Sequence, residues 1–344
     1  MIPNRRAFLL TMTGAGTILL GSGAAAQPPN RRILGGGGNG DVAAGVESPE
    51  LARAVGAVQI GPIERADALA ALFLTGDLGA SLPIVTLDTA RSQGDLLITE
   101  RGQATVPELI VDNRLGQHVL LLAGEVLAGG KQNRVVIEDI LLPPKSGERS
   151  LGVYCVEQGR WDASRSAFRS TGSLAGSSLR ARVMAKSDQR SVWSTVQQYA
   201  ASARASSPTN SYTAILESEA AEKRRTEVER QIDGRAPAGA VGVALFLGNR
   251  LLGLDVFSDA SLFARQWPKI LRAAVVDTLV TPTTTPADEA DLRNTVAGLL
   301  KVAATTKGTR HTNAGVGTIF EFRAGNGLAA ALVFEGRLVH LTIV

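Results

Sequence analysis

Two short segments carry many of the side chains that can bind a ligand or move a proton. Residues 124–134 read GEVLAGGKQNR, and residues 155–161 read CVEQGRW. Both adjoin apolar runs with the character of buried strands, where a buried polar group without a partner costs about 1–3 kcal/mol. This concentration of polar groups predicts either a binding site or a polar structural network.

The cationic, amide and aromatic side chains of these segments are the predicted ligand-binding residues: Lys131, Gln132, Asn133, Arg134, Arg160 and Trp161. A lysine and an arginine beside a glycine-rich turn can hold an anion through charge and backbone N–H groups, or can simply be solvated. An indole ring beside an arginine can stack on a flat ring or close the edge of a core. The two carboxylates of the segments, Glu125 and Glu157, are the candidates for catalytic acid or base.

Several site classes are excluded by spacing. A phosphate loop requires glycine where Glu125 stands and a hydroxyl where Gln132 stands, so the turn is not one. The three histidines do not show zinc-ligand spacing, no nucleophile elbow occurs, and nothing indicates a cofactor. Cys155 is the only cysteine and lies in an aliphatic run, which is typical of an inert core thiol.

The two segments together resemble the ARG and rhodanese-phosphatase-superfamily-associated protein domain family, where ARG stands for ADP-ribosylglycohydrolase. The resemblance rests on a Gly-Glu, a Gly-Gly-Lys-Gln-Asn-Arg and a Cys-Val-Glu-x-x-Arg-Trp motif, and extends from about Val55 to the C-terminus. It implies a genomic association with ADP-ribose and phosphate chemistry and no particular reaction. It also strengthens the prediction that the two segments form one site.

The N-terminus has the layout of a twin-arginine signal peptide. Arg5-Arg6 precedes a short, glycine-rich apolar run that ends at an Ala-x-Ala cleavage pattern near Ala26. We therefore predict an exported, periplasmic protein with a signal over residues 1–26 and a flexible linker over residues 27–54, rich in Pro and Gly. The domain then occupies residues 55–344, with two sub-lobes if the chain divides near residues 165–190.

The hydrophobic pattern predicts an α+β fold, mostly antiparallel, with helices concentrated in the second half. Strand-like runs are expected at 55–60, 85–87, 96–99, 109–111, 118–122, 135–137, 140–142, 151–156, 239–247, 251–256, 316–322, 328–334 and 338–344. Helices are expected at 66–74, 89–93, 191–203, 213–232, 261–279 and 287–303.

Charge argues against nucleic acid as a partner. The net charge of +4 falls to about +2 once Arg5 and Arg6 are removed with the signal, and no basic block with interleaved aromatics occurs. Membrane contact is expected only through the signal during export. We therefore predict a polar pocket for a small anionic or ribose/phosphate-like ligand. The alternatives are a non-catalytic structural or partner-interaction protein, and a hydrolase acting on a phosphate- or ribose-containing substrate.

Overall fold

The predicted α+β class is confirmed by a computed structural model that describes residues 45–79, 81–100, 107–162, 167–281 and 285–344. The predicted signal and most of the predicted linker lie outside the described residues. Residues Gly45–Val344 form one structural unit. Its helices are α1 Pro49–Gly56, α2 Leu87–Ser92, α3 Ser177–Met184, α4 Gln189–Ser202, α5 Tyr212–Leu216, α6 Glu219–Glu229, α7 Ala260–Val280 and α8 Glu289–Thr305.

Three sheets contain the described strands. The strands are β1 Gln59–Ala66, β2 Leu69–Thr75, β3 Ile84–Thr86, β4 Leu96–Thr99, β5 Glu108–Asn113, β6 His118–Leu121, β7 Glu125–Gly129, β8 Arg134–Val136, β9 Ile140–Leu142, β10 Gly147–Cys155, β11 Phe168–Leu174, β12 Ala240–Leu247, β13 Arg250–Phe257, β14 Thr309–His311, β15 Thr318–Ala324, β16 Gly327–Phe334 and β17 Arg337–Ile343.

The largest sheet has eight antiparallel strands in the order β1-β2-β12-β13-β17-β16-β15-β14. Its central strands are buried along most of their length because helices cover both faces. On one face α7 buries Phe263 and Trp267, and on the other α8 and α1 bury Leu292 and Leu51. Helix α7 begins where Asp259 accepts a hydrogen bond from the Leu262 N–H at 2.9 Å.

The six-stranded sheet carries much of the first predicted polar segment in β7 and β8, and β10 ends at Cys155, where the second segment begins. Six antiparallel strands follow the order β11-β7-β8-β10-β5-β4, and three follow the order β3-β6-β9. Strands β3 and β6 pair in parallel, whereas the other strand pairs described are antiparallel. Leu120 and Leu141 of the three-stranded sheet pack into the same core as α7, which ties this sheet to the largest one.

Several elements differ from the prediction. The alanine-rich run expected to be helical at 66–74 contains β2, because pairing with β1 and β12 in a fully buried position outweighs helix propensity. The single helix expected at 213–232 is two, since Ser218 caps a new helix, α6. The first strand begins at Gln59 rather than Val55, and α1 covers the boundary between predicted linker and domain.

Candidate functional site

The two polar segments are neighbours in the fold. Strand β8 pairs antiparallel with β10, and Arg134 lies opposite Cys155 in the register. Residues that precede β8 therefore lie beside residues that follow β10. The Val156 N–H donates to the Asn133 carbonyl at 3.0 Å, which continues the pairing beyond the strands.

A strained turn brings Lys131 into place. Gly130 has a φ of 49°, and a Cβ atom at this position would collide with the ring of Phe168. Only glycine fits a left-handed backbone pressed against an aromatic ring. The turn ends where the Lys131 N–H donates to Glu100 Oε1 at 3.0 Å, so Glu100 joins the site from a distant part of the sequence.

Arg134 is fully buried, with no exposed surface. Its Nη1 donates to the Gln132 carbonyl at 3.0 Å, and its Nη2 is 3.5 Å from Glu100 Oε1. Within the described part of the chain, its Nε has no hydrogen-bond partner. Arg134 thus contributes charge and holds the turn from inside the protein. In this buried position it is not accessible to a ligand in solvent.

Glu157 is held as an ionised carboxylate. Its Oε2 accepts from Arg160 Nε at 2.9 Å and from the Asn133 N–H at 3.0 Å, and its Oε1 accepts from the Thr209 hydroxyl at 2.7 Å. Burial by itself would raise the pKa of Glu157, but these hydrogen bonds hold it below its ordinary value. An acid catalyst must hold a proton, so this environment opposes that role.

The two amide side chains are used inside the protein. Asn133 Nδ2 donates to the Ser211 and Thr213 hydroxyls at 2.9 and 3.1 Å. Gln132 Nε2 donates to the Glu157 carbonyl at 2.9 Å, and Gln132 Oε1 accepts from Cys155 Sγ at 3.2 Å. Both amides therefore position the segments.

Cys155 is buried, as the strand pattern predicts. Burial, only partly offset by the positive charge of Arg134, raises the pKa of the thiol to about 11. The thiolate is the reactive form of cysteine, so this thiol is a poor nucleophile at neutral pH.

Lys131 and Trp161 form the exposed rim of the site. The indole of Trp161 is 54% exposed, and Lys131 Nζ lies 5.3 Å from its ring centroid. Lys131 Nζ is also 3.6 Å from Glu100 Oε2, and 16% of its side chain is exposed. Arg160 lies beside the rim and donates from Nη1 to the Gly130 carbonyl at 2.6 Å.

We call Glu100, Lys131, Arg134, Glu157 and Arg160 the Arg134 network. Its contacts join three cations to two carboxylates. These five groups by themselves carry one excess positive charge. Arg134 and Glu100 lie in the buried part of the network, and Lys131 and Arg160 lie towards the surface.

Glu125 does not join this network. Its Oε1 is 2.7 Å from Nζ of Lys269 on α7, and the same Nζ is 2.7 Å from Asp88. Burial raises the pKa of Glu125 to about 7, because Lys269 offsets it only in part and shares its charge with Asp88. Glu125 is 1% exposed, so it does not line the rim.

A second buried cluster, the His340 network, consists of Asp139, Arg180, Asp255 and His340. Arg180 grips Asp255 through two hydrogen bonds of 2.9 and 3.1 Å. His340 contacts Asp139 at 2.6 Å through Nδ1 and Asp255 at 3.1 Å through Nε2. Burial by itself would lower the pKa of His340, but the two carboxylates raise it to about 9, so both ring nitrogens donate at neutral pH.

With this geometry established, the chain was compared with known proteins. A model of the ARG and Rhodanese-Phosphatase-superfamily-associated Protein domain matches residues 57–344. The chain belongs to this family. Searches of curated proteins and of solved structures found no match.

In this member of the ARG and Rhodanese-Phosphatase-superfamily-associated Protein domain family, the matched region contains both networks and every predicted site residue. The family description names an association with other proteins and no reaction. Among the described residues, no helix combines the length and apolar character needed to cross a bilayer.

Sequence reasoning missed the partners that come from other elements. These partners include Glu100, Thr209, Ser211 and Thr213. They lie in ordinary polar stretches with no local signal. The bridge between Glu157 and Ser211 and the backbone hydrogen bonds beside it bring the later three close. His340 was not among the predicted site residues, and its partners come from elements far apart in the sequence.

Proposed function

We propose that this protein is an exported binding protein whose site is the rim formed by Lys131 and Trp161, with Arg160 beside it. The ligand class is a small anion that carries a flat ring or a ribose-phosphate group. The observation that carries the proposal is the exposed indole beneath an ammonium group, at the edge of a network with one excess positive charge.

Charge and exposure support an anion at this place. Arg134 is buried and paired with Glu100, so Lys131 is the cation that can reach a ligand at the rim. The distance of 3.6 Å between Lys131 and Glu100 is longer than a tight charge-assisted hydrogen bond. Lys131 can therefore turn towards a ligand while Arg134 continues to neutralise Glu100.

A non-catalytic structural role is the second candidate, and one observation favours it. Gln132, Asn133, Arg134 and Glu157 are each less than 9% exposed and are hydrogen-bonded within the protein. A hydrolase has less support, because both oxygens of Glu157 accept hydrogen bonds within the protein and Glu125 is buried away from the rim.

Export through the twin-arginine pathway is proposed from Arg5-Arg6 and the weak apolar run that follows. The double substitution Arg5→Lys with Arg6→Lys should leave uncleaved precursor in the cytoplasm. Normal export of this variant would overturn the assignment.

Binding is tested by a thermal-shift screen of the protein from Gln27 onward with ADP-ribose, nucleotides, sugars and inorganic phosphate. A ligand at 100 times its dissociation constant should add about 2.7 kcal/mol of stability. Lys131→Ala and Trp161→Ala should each remove the shift. Lys301→Ala, which removes an exposed lysine on α8, is the matched control and should retain it. If no compound shifts the melting temperature, or if the shift persists in both rim variants, the rim is not the site.

A further inference from the structure

Another group of charged side chains lies where the loop after β8 meets β14 and β15. It consists of Glu138, His311 and Glu321. One ligand atom from each residue lies within 4.8 Å of the others, and His311 Nε2 is 2.9 Å from Glu138 Oε2. All three side chains are partly accessible to solvent.

A cavity of about 70 Å³ adjoins Glu138 and Glu321. A buried water needs roughly 10–15 Å³ measured in this way, so the space is large enough for a few waters. Its polar lining includes Glu138, Glu321 and Lys186, and its apolar lining includes Ile137 and Phe322. The two carboxylates therefore lie beside a small space rather than in a closely packed core.

Lys186 shows that positive charge is favoured at this point. Its Nζ is 3.1 Å from Glu321 and 3.7 Å from Glu138, although the side chain is 47% exposed. The two carboxylates therefore draw a cation to this point, and an exposed lysine can move away from it at little cost.

We propose that Glu138, His311 and Glu321 bind a divalent transition-metal ion of the zinc class, and that Lys186 competes with the ion for the two carboxylates. Imidazole nitrogen together with carboxylate oxygen suits zinc, whereas magnesium and calcium prefer oxygen ligands alone. Three protein ligands leave a fourth position open for water, and the adjoining cavity leaves space on that side of the two carboxylates.

Histidine spacing could not reveal such a site. Glu138 comes from a loop that lies more than a hundred residues before β14 and β15, the two strands that carry His311 and Glu321. The antiparallel pairing of β14 with β15 places His311 opposite Ile319, two residues from Glu321. Residues i and i+2 of a strand share a face, so the fold brings the imidazole near the carboxylate.

The test is calorimetric titration of untagged protein, first stripped with a chelator, with zinc chloride. We expect one ion per chain and binding that is at least about tenfold weaker for magnesium chloride. His311→Ala and Glu321→Gln should each weaken zinc binding by at least about tenfold. His118→Gln, which removes a histidine that packs on Phe334 away from the cluster, is the control and should bind as the unmodified protein does.

Lys186→Met separates a metal site from a simple ion-pair cluster. Loss of a competing exposed cation should tighten zinc binding by about twofold to fivefold. If the cluster serves only as ion pairs, this variant should bind no zinc and should lose stability. The proposal is overturned if zinc does not bind, if binding survives both His311→Ala and Glu321→Gln, or if Lys186→Met weakens it. Circular dichroism of each variant verifies that it is folded.

Discussion

The Arg134 network and the His340 network contain the same kinds of side chain but differ in charge balance and in access to water. The His340 network joins two cations to two carboxylates, and each of its members is at most 4% exposed. The Arg134 network joins three cations to two carboxylates and extends to the surface at Lys131 and Trp161.

This difference indicates what each network can do. A closed network with equal numbers of positive and negative charges has no net charge to offer a ligand. Its effect is therefore on the stability and the specificity of the fold. An unbalanced network that reaches solvent can complete its charge balance with a ligand. Substitutions in the two networks should therefore separate stability from binding.

The largest effect is expected for Asp255→Ala. This carboxylate is shared by Arg180 and His340, so its loss leaves two buried cations with only Asp139. Breaking a buried pair in this way costs about 3–5 kcal/mol, measured as the free energy of unfolding in urea. Asp95→Ala, which removes an exposed carboxylate, should change stability by less than about 0.5 kcal/mol. A loss below about 1 kcal/mol for Asp255→Ala would mean that the network contributes no more than a surface pair.

The next effect is a dependence of stability on pH that comes from His340. Its pKa is about 9 in the folded protein against an ordinary value of 6.5. A group whose pKa is raised by folding stabilises the fold fully at pH values below its pKa in the unfolded chain. This contribution is lost as the pH rises towards its pKa in the folded protein. Between about pH 7 and pH 9.5 the free energy of unfolding of the unmodified protein should therefore fall by about 2 kcal/mol more than that of the His340→Gln variant.

Urea unfolding of both proteins across this range provides the measurement. Cys155 also loses its proton more readily in the unfolded chain, but it is present in both proteins and cancels in the difference. Glu125 titrates near the lower end of the range in both. Equal slopes for the two proteins would show that His340 is not charged in the folded state.

A smaller effect is expected for Arg134→Met, which keeps most of the volume and removes the charge. Glu100 still has Lys131 nearby, so no carboxylate is left wholly unpaired. The free energy of unfolding in urea should fall by about 1–3 kcal/mol, because the hydrogen bonds of a buried cation are lost. Adding Glu100→Gln to this variant should restore part of it, and a further loss instead would show that Glu100 is stabilised by groups other than Arg134.

The elements of this fold were more predictable from sequence than the partners within its networks. Periodicity located α4, α7 and α8 because each buries one apolar side against a sheet. It did not locate β2, whose alanines and leucines fit a helix equally well when neighbouring strands are unknown. Strand β7 was not among the predicted strands, because the glycines at and beside its ends indicated a turn and its pairing with β8 and β11 could not be inferred locally.

The candidate site was located by its unusual density of polar residues, but the assignment of partners was limited by distance along the chain. Asn133 and Glu157 were recognised, yet the hydroxyls that satisfy them come from residues 209–213. Glu125 belongs to the same sequence segment as Arg134, but an alternating strand and the approach of Lys269 direct it elsewhere. Contacts of this kind depend on tertiary structure, which a short motif does not encode.

The smallest effect on stability is expected for Lys131→Ala, and it tests the comparison most directly. Arg134 continues to neutralise Glu100, and Lys131 loses only a long ion pair and a cation–π contact at a half-exposed indole. The free energy of unfolding in urea should change by less than about 0.5 kcal/mol, and added salt should alter this difference little. Any increase in melting temperature that a ligand causes in the screen should nevertheless disappear in this variant. In the unmodified protein the same increase should become smaller with added salt. If Lys131→Ala instead destabilises the protein as much as Arg134→Met does, Lys131 is part of the closed structural network, and the rim has no charge to offer a ligand.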